Sequence, residues 1–205
     1  MNNWNENLDL LIRARTPLIW IRSNEEERVQ ELLEQSTKRM HPKTLAIWDY
    51  INGIQGVVNS QGVGVRQPMA ALQWLQKLEP NNSTILLLKD FHRFSDDPGI
   101  ARMLKNLATE LRTKPHNIVL ISSCWEPSSD LDDSLTILDL PLPNQKELKT
   151  LLSNIAKISG SILDIEILEE LTRASSGLSE ARVRQVAARA LAQRGRLGRE
   201  DLLEV

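Results

Sequence analysis

Asp90 stands directly after the apolar run Ile85–Leu88 and Lys89, where a carboxylate could hold Mg²⁺. The simpler role, and the expected one, is a strand-end carboxylate paired with Lys89 or Arg93 or capping nearby backbone. Gly62 and Gly64, with Arg66 beyond them, look superficially like a phosphate cradle. Their spacing is incomplete and no strand directly precedes them, so the Gly53–Gly64 stretch reads as a hairpin or mobile loop. That loop is also a good candidate on its face for touching a partner, because function concentrates on loops. His41, His92 and His116 lack companion Cys or carboxylate clusters; they read as surface residues, and no metal is expected. No Ser/His/Asp arrangement follows from spacing. Cys124 is the single cysteine, which excludes an internal disulfide. Trp20, Trp48 and Trp74 are explained by core packing. Trp125, just past the run Ile118–Ile121, falls at the kind of edge where α/β folds bind ligands. Arg173, Arg182, Arg184, Arg189, Arg194, Arg196 and Arg199 form the one local basic concentration. It is either a solvated helix face paired with Glu169, Glu170 and Glu180, or a contact with another module or nucleic acid.

Composition narrows the setting for these groups. At 205 residues, 41% hydrophobic and 25% charged, the chain suits one α/β domain, or a larger domain with a small helical one attached. A net charge of −2 gives no support for a nucleic-acid or membrane-surface protein. The first residues lack a basic start followed by an apolar run, so no secretory signal is read, and the longest apolar runs are strand-sized. A reducing cytoplasm or an organelle stroma is the expected location, and no cofactor is expected.

The elements that must position the candidate residues alternate. Leu8–Arg15 has helical spacing and is ended by Pro17. Leu18–Ile21 is a continuous β-prone run of the kind buried on both faces. Ser23 with Glu26 forms a capping box, which opens a helix over Glu25–Gln35. A second strand is expected from Thr44 to Trp48. The loop Asn52–Gln67 then leads to a helix opened by Pro68 and running to about Leu78. A third strand (Thr84–Leu88), a helix (Ile100–Arg112), a fourth strand (Asn117–Ser122) and a short fifth (Thr136–Leu140) complete a mostly parallel sheet covered on both faces. After Pro141-Leu-Pro143 only helices follow: Gln145–Lys157, Ile165–Ala174, Ser179–Arg194 and a last piece near Arg199. The expected fold is therefore a three-layer αβα parallel sheet of about five strands over residues 1–143, followed by a small all-helical lid over 144–205. The chain stops at Val205 inside what reads as the start of a helix, either a natural end or a cut before a further domain.

Particular segments carry a family resemblance. Ile85-Leu-Leu-Leu-Lys-Asp90 looks like the strand ending in the Mg²⁺-binding aspartate of an AAA-type ATPase, and Arg102–Leu111 is similar to the helix after it. Ile118–Cys124 stands where the sensor strand does. Leu138–Pro143 resembles the approach to the lid, and Leu168–Gly177 the lid helix and its turn. Leu11-Ile12 with Ala14 and Pro17–Ile21, Trp48-Asp49 with Asn52-Gly53, and Ser176–Arg182 resemble more closely the first half of a two-module AAA family encoded in cyanobacteria and some plastid genomes. That resemblance implies a degenerate first module beside a downstream ATP-binding module, and a link to photosynthesis or inorganic-carbon regulation.

The residues support the degeneracy independently. A phosphate-binding loop needs Gly to wrap the phosphates with backbone N–H groups, Lys for charge and Ser/Thr for Mg²⁺. The turn after the first strand offers Arg22-Ser23-Asn24-Glu25-Glu26-Glu27, with neither Gly nor Lys, and three carboxylates at a helix start that otherwise attracts phosphate. Phe91 occupies the place of the general-base Glu and cannot take a proton. Cys124 holds the approximate place of a polar sensor, and Trp125–Leu140 contains no Arg to serve as an arginine finger, a group worth roughly 10³–10⁵ in rate. Arg182 falls near the position from which some AAA lids reach phosphates. The expected function is a catalytically inactive AAA-like module with a structural, oligomerisation or partner-binding role beside an active ATPase module. Its partner would be another protein or its own downstream module, in an oligomer built by AAA-like packing, with no membrane and no nucleic acid. Two alternatives stay open: an ATPase with an unconventional site in which the Gly53–Gly64 loop meets Asp90, and a clamp-loader-like DNA-associated adaptor.

Overall fold

A computed structural model describes residues 3–40, 43–81, 83–125, 127, 131 and 134–198. His41 and Arg199, and the last helical piece expected near Arg199, lie outside the described residues. The chain divides into two compact units, Met1–Leu140 and Pro141–Val205.

In the first unit, α1 (Asn3–Arg13) precedes β1 (Leu18–Arg22), α2 (Glu26–Arg39) and β2 (Thr44–Asp49). Then follow β3 (Gly53–Gln55), α3 (Pro68–Gln76), β4 (Thr84–Lys89) and a 3₁₀ turn at Phe91–Phe94. The unit closes with α4 (Pro98–Glu110), β5 (Asn117–Ser122) and β6 (Leu135–Asp139). The sheet has six strands in the order β3-β2-β4-β5-β1-β6. All neighbouring pairs are parallel except β2 with β3.

Strand alternation makes the sheet a divider between two cores, because successive side chains leave opposite faces. Ile19, Ile21, Ile85, Leu87, Val119 and Ile121 meet Leu8 and Ile12 of α1 and Val29 and Leu33 of α2. Leu18, Trp20, Ala46, Trp48, Leu86, Leu88 and Leu120 meet Leu72 and Leu75 of α3 and Leu104 and Leu107 of α4. Continuous apolar runs in sequence thus become strands buried on both sides. The sixth strand, β3, is an addition to the five expected: its three residues pair Ile47 with Gln55, Trp48 with Ile54 and Asp49 with Gly53.

The start of α2 differs from the sequence expectation. The helix begins at Glu26, and the Ser23 hydroxyl accepts a hydrogen bond from the Glu25 N–H at 2.9 Å, closing a local turn instead of a capping box. The far end runs four residues beyond Gln35, because Ser36 and Arg39 both bind the Asp9 carboxylate of α1, Arg39 at 2.7 Å. Asp97 caps α4 by accepting from Gly99 and Ile100 at 2.8 and 3.0 Å, ahead of the position expected.

The second unit contains α5 (Gln145–Ser159), α6 (Ile165–Ala174) and α7 (Glu180–Arg194). Asn144 and Glu147 form a complete capping box on α5, and Ser179 caps α7 through the Arg182 N–H. Leu148, Leu151, Leu152, Leu171 and Val183 are the buried centre.

Candidate functional site

The C-terminal ends of the parallel strands form the edge at which an open α/β sheet offers a ligand site. Five of the residues singled out in the sequence converge there. Ser23 donates its backbone N–H to the Ser122 carbonyl at 3.1 Å, and the Asp90 N–H donates to the Ile121 carbonyl at 3.3 Å. Phe91 follows Asp90, and Cys124 is exposed two residues past β5. Asn24 is exposed in the turn between β1 and α2.

Three cations that sequence spacing did not single out also reach this edge, and each is engaged by a carboxylate. Arg22 lies over the Trp20 ring and makes a forked pair with Asp139, its Nη2 reaching Oδ2 at 2.6 Å. Hydrogen bonding to Arg22 holds the Asp139 carboxyl below its ordinary range. Arg28 meets Glu25 at 2.9 Å with both side chains below 10% exposure. Lys89, from the end of β4, turns to Glu26 at 3.4 Å and to Gln30 at 3.4 Å. Two of the three glutamates that would repel a triphosphate are therefore neutralised. The turn has no glycine, and its charged side chains bind one another.

Asp90 neither pairs with Lys89 or Arg93 nor caps backbone, contrary to the sequence expectation. It is exposed in the left-handed region at φ 53°, and its carboxylate makes no hydrogen bond among the described residues. Lys89 is drawn away from it by Glu26 and Gln30. Phe91 is 1% exposed and packs edge-on against Trp48 at 5.3 Å and Phe94 at 5.9 Å. Tyr50 stacks on Phe94 at 5.3 Å. The residue after Asp90 is thus part of an aromatic core. Trp125 is also committed to packing: its indole N–H donates to Ser95 Oγ at 3.0 Å, and its ring meets Trp20 edge-on at 5.3 Å. Trp20 in turn donates to Ser122 Oγ at 2.9 Å.

Gly62, Gly64 and Arg66 belong to the segment after the β2–β3 hairpin. The hairpin turn is built by Asp49, whose carboxylate accepts from the backbone of Ile51 and Asn52 and from the Asn52 and Gln55 side chains. Burial raises the pKa of this carboxyl, but these bonds outweigh it and leave it lowered. Trp48 donates to the Gly64 carbonyl at 2.9 Å, and Trp74 to Ser60 Oγ at 3.0 Å, so two indoles anchor the loop. No polar contact joins this loop to Asp90 among the described residues. Around it, Ile51, Val58, Tyr50 and Val65 are exposed, Val58 at 84%.

His116 corrects the surface reading of the histidines: it is fully buried, while His92 is half-buried. In the second unit, Arg182 is exposed and donates to Gln185 at 2.8 Å. Arg184 pairs with Glu180 at 2.6 Å, whereas Glu169 pairs with Lys149 at 3.1 Å instead of with an arginine. Among the described residues no group of three His, Cys, Asp or Glu stands close enough to hold a metal, and no helix is long and apolar enough to cross a membrane.

Residues 4–140 match the N-terminal domain of the SpoVK-like AAA ATPases, and residues 146–205 match the second domain of the same family. The chain belongs to the SpoVK-like AAA ATPase family. It is 36% identical over 193 residues to the AAA domain-containing protein ycf46 of Guillardia theta, covering 94% of this chain and 38% of that protein. To ycf46 of Pyropia yezoensis it is 30% identical over 200 residues, covering 98% and 41% respectively. The AAA chain thus spans about two fifths of the length of these relatives. Its fold is shared with a chain of an Escherichia coli HORMA:CdnC:Trip13 complex (TM-score 0.68, 12% identity, 99% of this chain and 86% of that one). It is shared also with the Thermotoga maritima RuvB Holliday junction branch migration motor (TM-score 0.62, 14% identity, 100% and 67%).

Proposed function

We propose that this AAA module does not bind or hydrolyse ATP through its own sheet edge, and that it serves as a structural and partner-binding element beside an active ATPase module. The Glu25–Arg28 pair carries the reading. It occupies the first turn of α2, where a phosphate cradle would lie, and both side chains are buried, Arg28 at 7% exposure. Accommodating a triphosphate there would break a buried ion pair and strand one charge, a cost of roughly 3–5 kcal/mol before any contact is gained. Phe91, Cys124 and the unengaged Asp90 supply no base or sensor that would offset this.

The active module would belong to the longer proteins of the family, whose relatives extend well beyond the length matched here. The anchored loop carrying Gly62, Gly64 and Arg66, with its exposed Ile51 and Val58, is the proposed contact surface for a protein partner or for that module. Assembly would follow AAA-like packing, in the cytoplasm or a plastid stroma, in support of photosynthesis-related regulation. Calorimetric titration of the chain with ATP–Mg²⁺ tests the central claim. No binding in the micromolar range and no phosphate release are expected; saturable micromolar binding refutes it.

A further inference from the structure

The opposite edge of the sheet, at the N-terminal ends of the strands, gathers cations around the loop between α4 and β5. Arg15 donates to the Thr113 carbonyl at 3.1 Å, Lys43 to the Pro115 carbonyl at 3.0 Å, and Lys114 to the Gln76 carbonyl at 3.0 Å. Ser83 Oγ accepts from Lys43 at 3.1 Å and donates to the same Pro115 carbonyl at 2.9 Å. The carbonyls of Thr113 and Pro115 thereby hold the Arg15 and Lys43 head groups on either side of residue 114. Among the described residues one carboxylate meets this group: Glu110, 3.6 Å from Lys114 and also bound to Gln76.

Two further observations separate this cluster from an ordinary solvated basic surface. Arg15 sits at φ 58°, in the left-handed position that ends α1, with its N–H on the Ile12 carbonyl and the Thr16 N–H on the Leu11 carbonyl. That is the place in a Schellman motif where glycine is strain-free. An arginine held there keeps a guanidinium at the cluster against a backbone preference. Close to Lys43 and Lys114, the His116 ring is fully buried and feels both charges; one side faces the Leu78 carbonyl, yet neither nitrogen completes a hydrogen bond of good geometry. Repulsion from Arg15, added to burial, likewise opposes the Lys43 charge. A bound anion would relieve both.

We propose that Arg15, Lys43 and Lys114, backed by His116, form an oxyanion site on the face opposite the nucleotide edge, suited to a phosphate dianion, free or carried as a small phosphate monoester. Three cations against one carboxylate leave a local charge matched to a dianion. Arg15 and Lys43 keep unused donors, since a guanidinium has five and an ammonium three. The site is independent of the ATP question, since no residue is shared.

Inorganic phosphate, phosphoserine and, at matched ionic strength, chloride are titrated into the full chain, with backbone amide NMR shifts near residues 113–117 and the Lys43 titration as readouts. Saturable shifts with phosphate, a dissociation constant on the order of 1 mM and an upward-moving Lys43 pKa are expected. Tighter phosphoserine binding assigns the ligand to the monoester class, equal binding to the free ion. Arg15→Gly removes the guanidinium while fitting the backbone; it should leave the melting temperature equal or higher and weaken phosphate roughly tenfold. Lys43→Met should weaken it comparably. Shifts that follow chloride equally, or phosphate binding unchanged in Arg15→Gly, overturn the proposal.

Discussion

Phe91 fills the position after Asp90 with a ring that touches Trp48 and Phe94 and has only 1% of its surface exposed. Restoring an acid there would not restore a base. Phe91→Glu would bury a carboxylate against the Trp48 and Phe94 rings and remove their packing, with an expected loss of at least about 3–5 kcal/mol in urea unfolding and no gain in ATP turnover. A variant of unchanged stability would show that the aromatic cluster is not what holds this position. The inability of Phe91 to take a proton is plain from its type, but its packing role is not, because Trp48 reaches it from β2, far away in sequence. The same limit applies to the charged edge. Glu25 and Arg28 are three residues apart, a spacing that could have flagged the pair, whereas Arg22 and Asp139 meet only because β1 and β6 are neighbours. His116 reads as a surface residue beside Pro115. It is buried because Lys43 and Ser83 both bind the Pro115 carbonyl and tie that loop to the starts of β2 and β4.

At the scale of elements, continuous apolar runs were the most legible feature, and β5 spans Asn117–Ser122 as its sequence indicates. Helix ends were less so, since a polar last turn such as Ser36–Arg39 has no apolar periodicity and is held by Asp9 from another helix. β3 is a three-residue strand whose pairing depends on the turn around Asp49 and on two glycines in the left-handed region. Gly53 approaches the Val63 carbonyl so closely that an added Cβ would lie 2.6 Å from it. Gly64, at φ 75°, would place a Cβ 3.0 Å from Trp48 Nε1 and 3.1 Å from the Ala71 nitrogen. Gly64→Ala should therefore combine left-handed strain with displacement of the Trp48–Gly64 hydrogen bond, costing about 1–3 kcal/mol in denaturant unfolding. Indole fluorescence should report the freed Trp48. A neutral substitution would mean that the loop is not anchored through this contact.

Across the molecule, the net charge of −2 hides a separation within the first unit. Glu25, Glu26, Glu27, Asp90 and Asp139 outnumber Arg22, Arg28 and Lys89 at the strands' C-terminal edge, and Arg15, Lys43 and Lys114 outnumber Glu110 at the N-terminal one. Burial of Lys43 and His116 at the N-terminal edge makes stability depend on pH in two windows. Burial, then the Arg15 charge, lowers the Lys43 pKa from 10.5 to about 8. Between those values the unfolded chain holds a proton that the folded chain has lost, so stability rises with pH from about 8 to 10.5. His116 acts in the same sense lower down. Burial chiefly, with Lys43 and Lys114 adding and the Leu78 carbonyl opposing, depresses its pKa below 6.5, so stability falls as pH drops through that value. Asp9, raised by burial but lowered further by Arg39 and Ser36, and Asp49 lose their contributions only below the ordinary carboxylate range. Urea unfolding across the pH range should show stability climbing through the histidine window and again above about pH 8. Lys43→Met should remove the upper rise and keep the lower one. An upper rise that persists in Lys43→Met would place the alkaline titration on another group and detach Lys43 from the cation cluster.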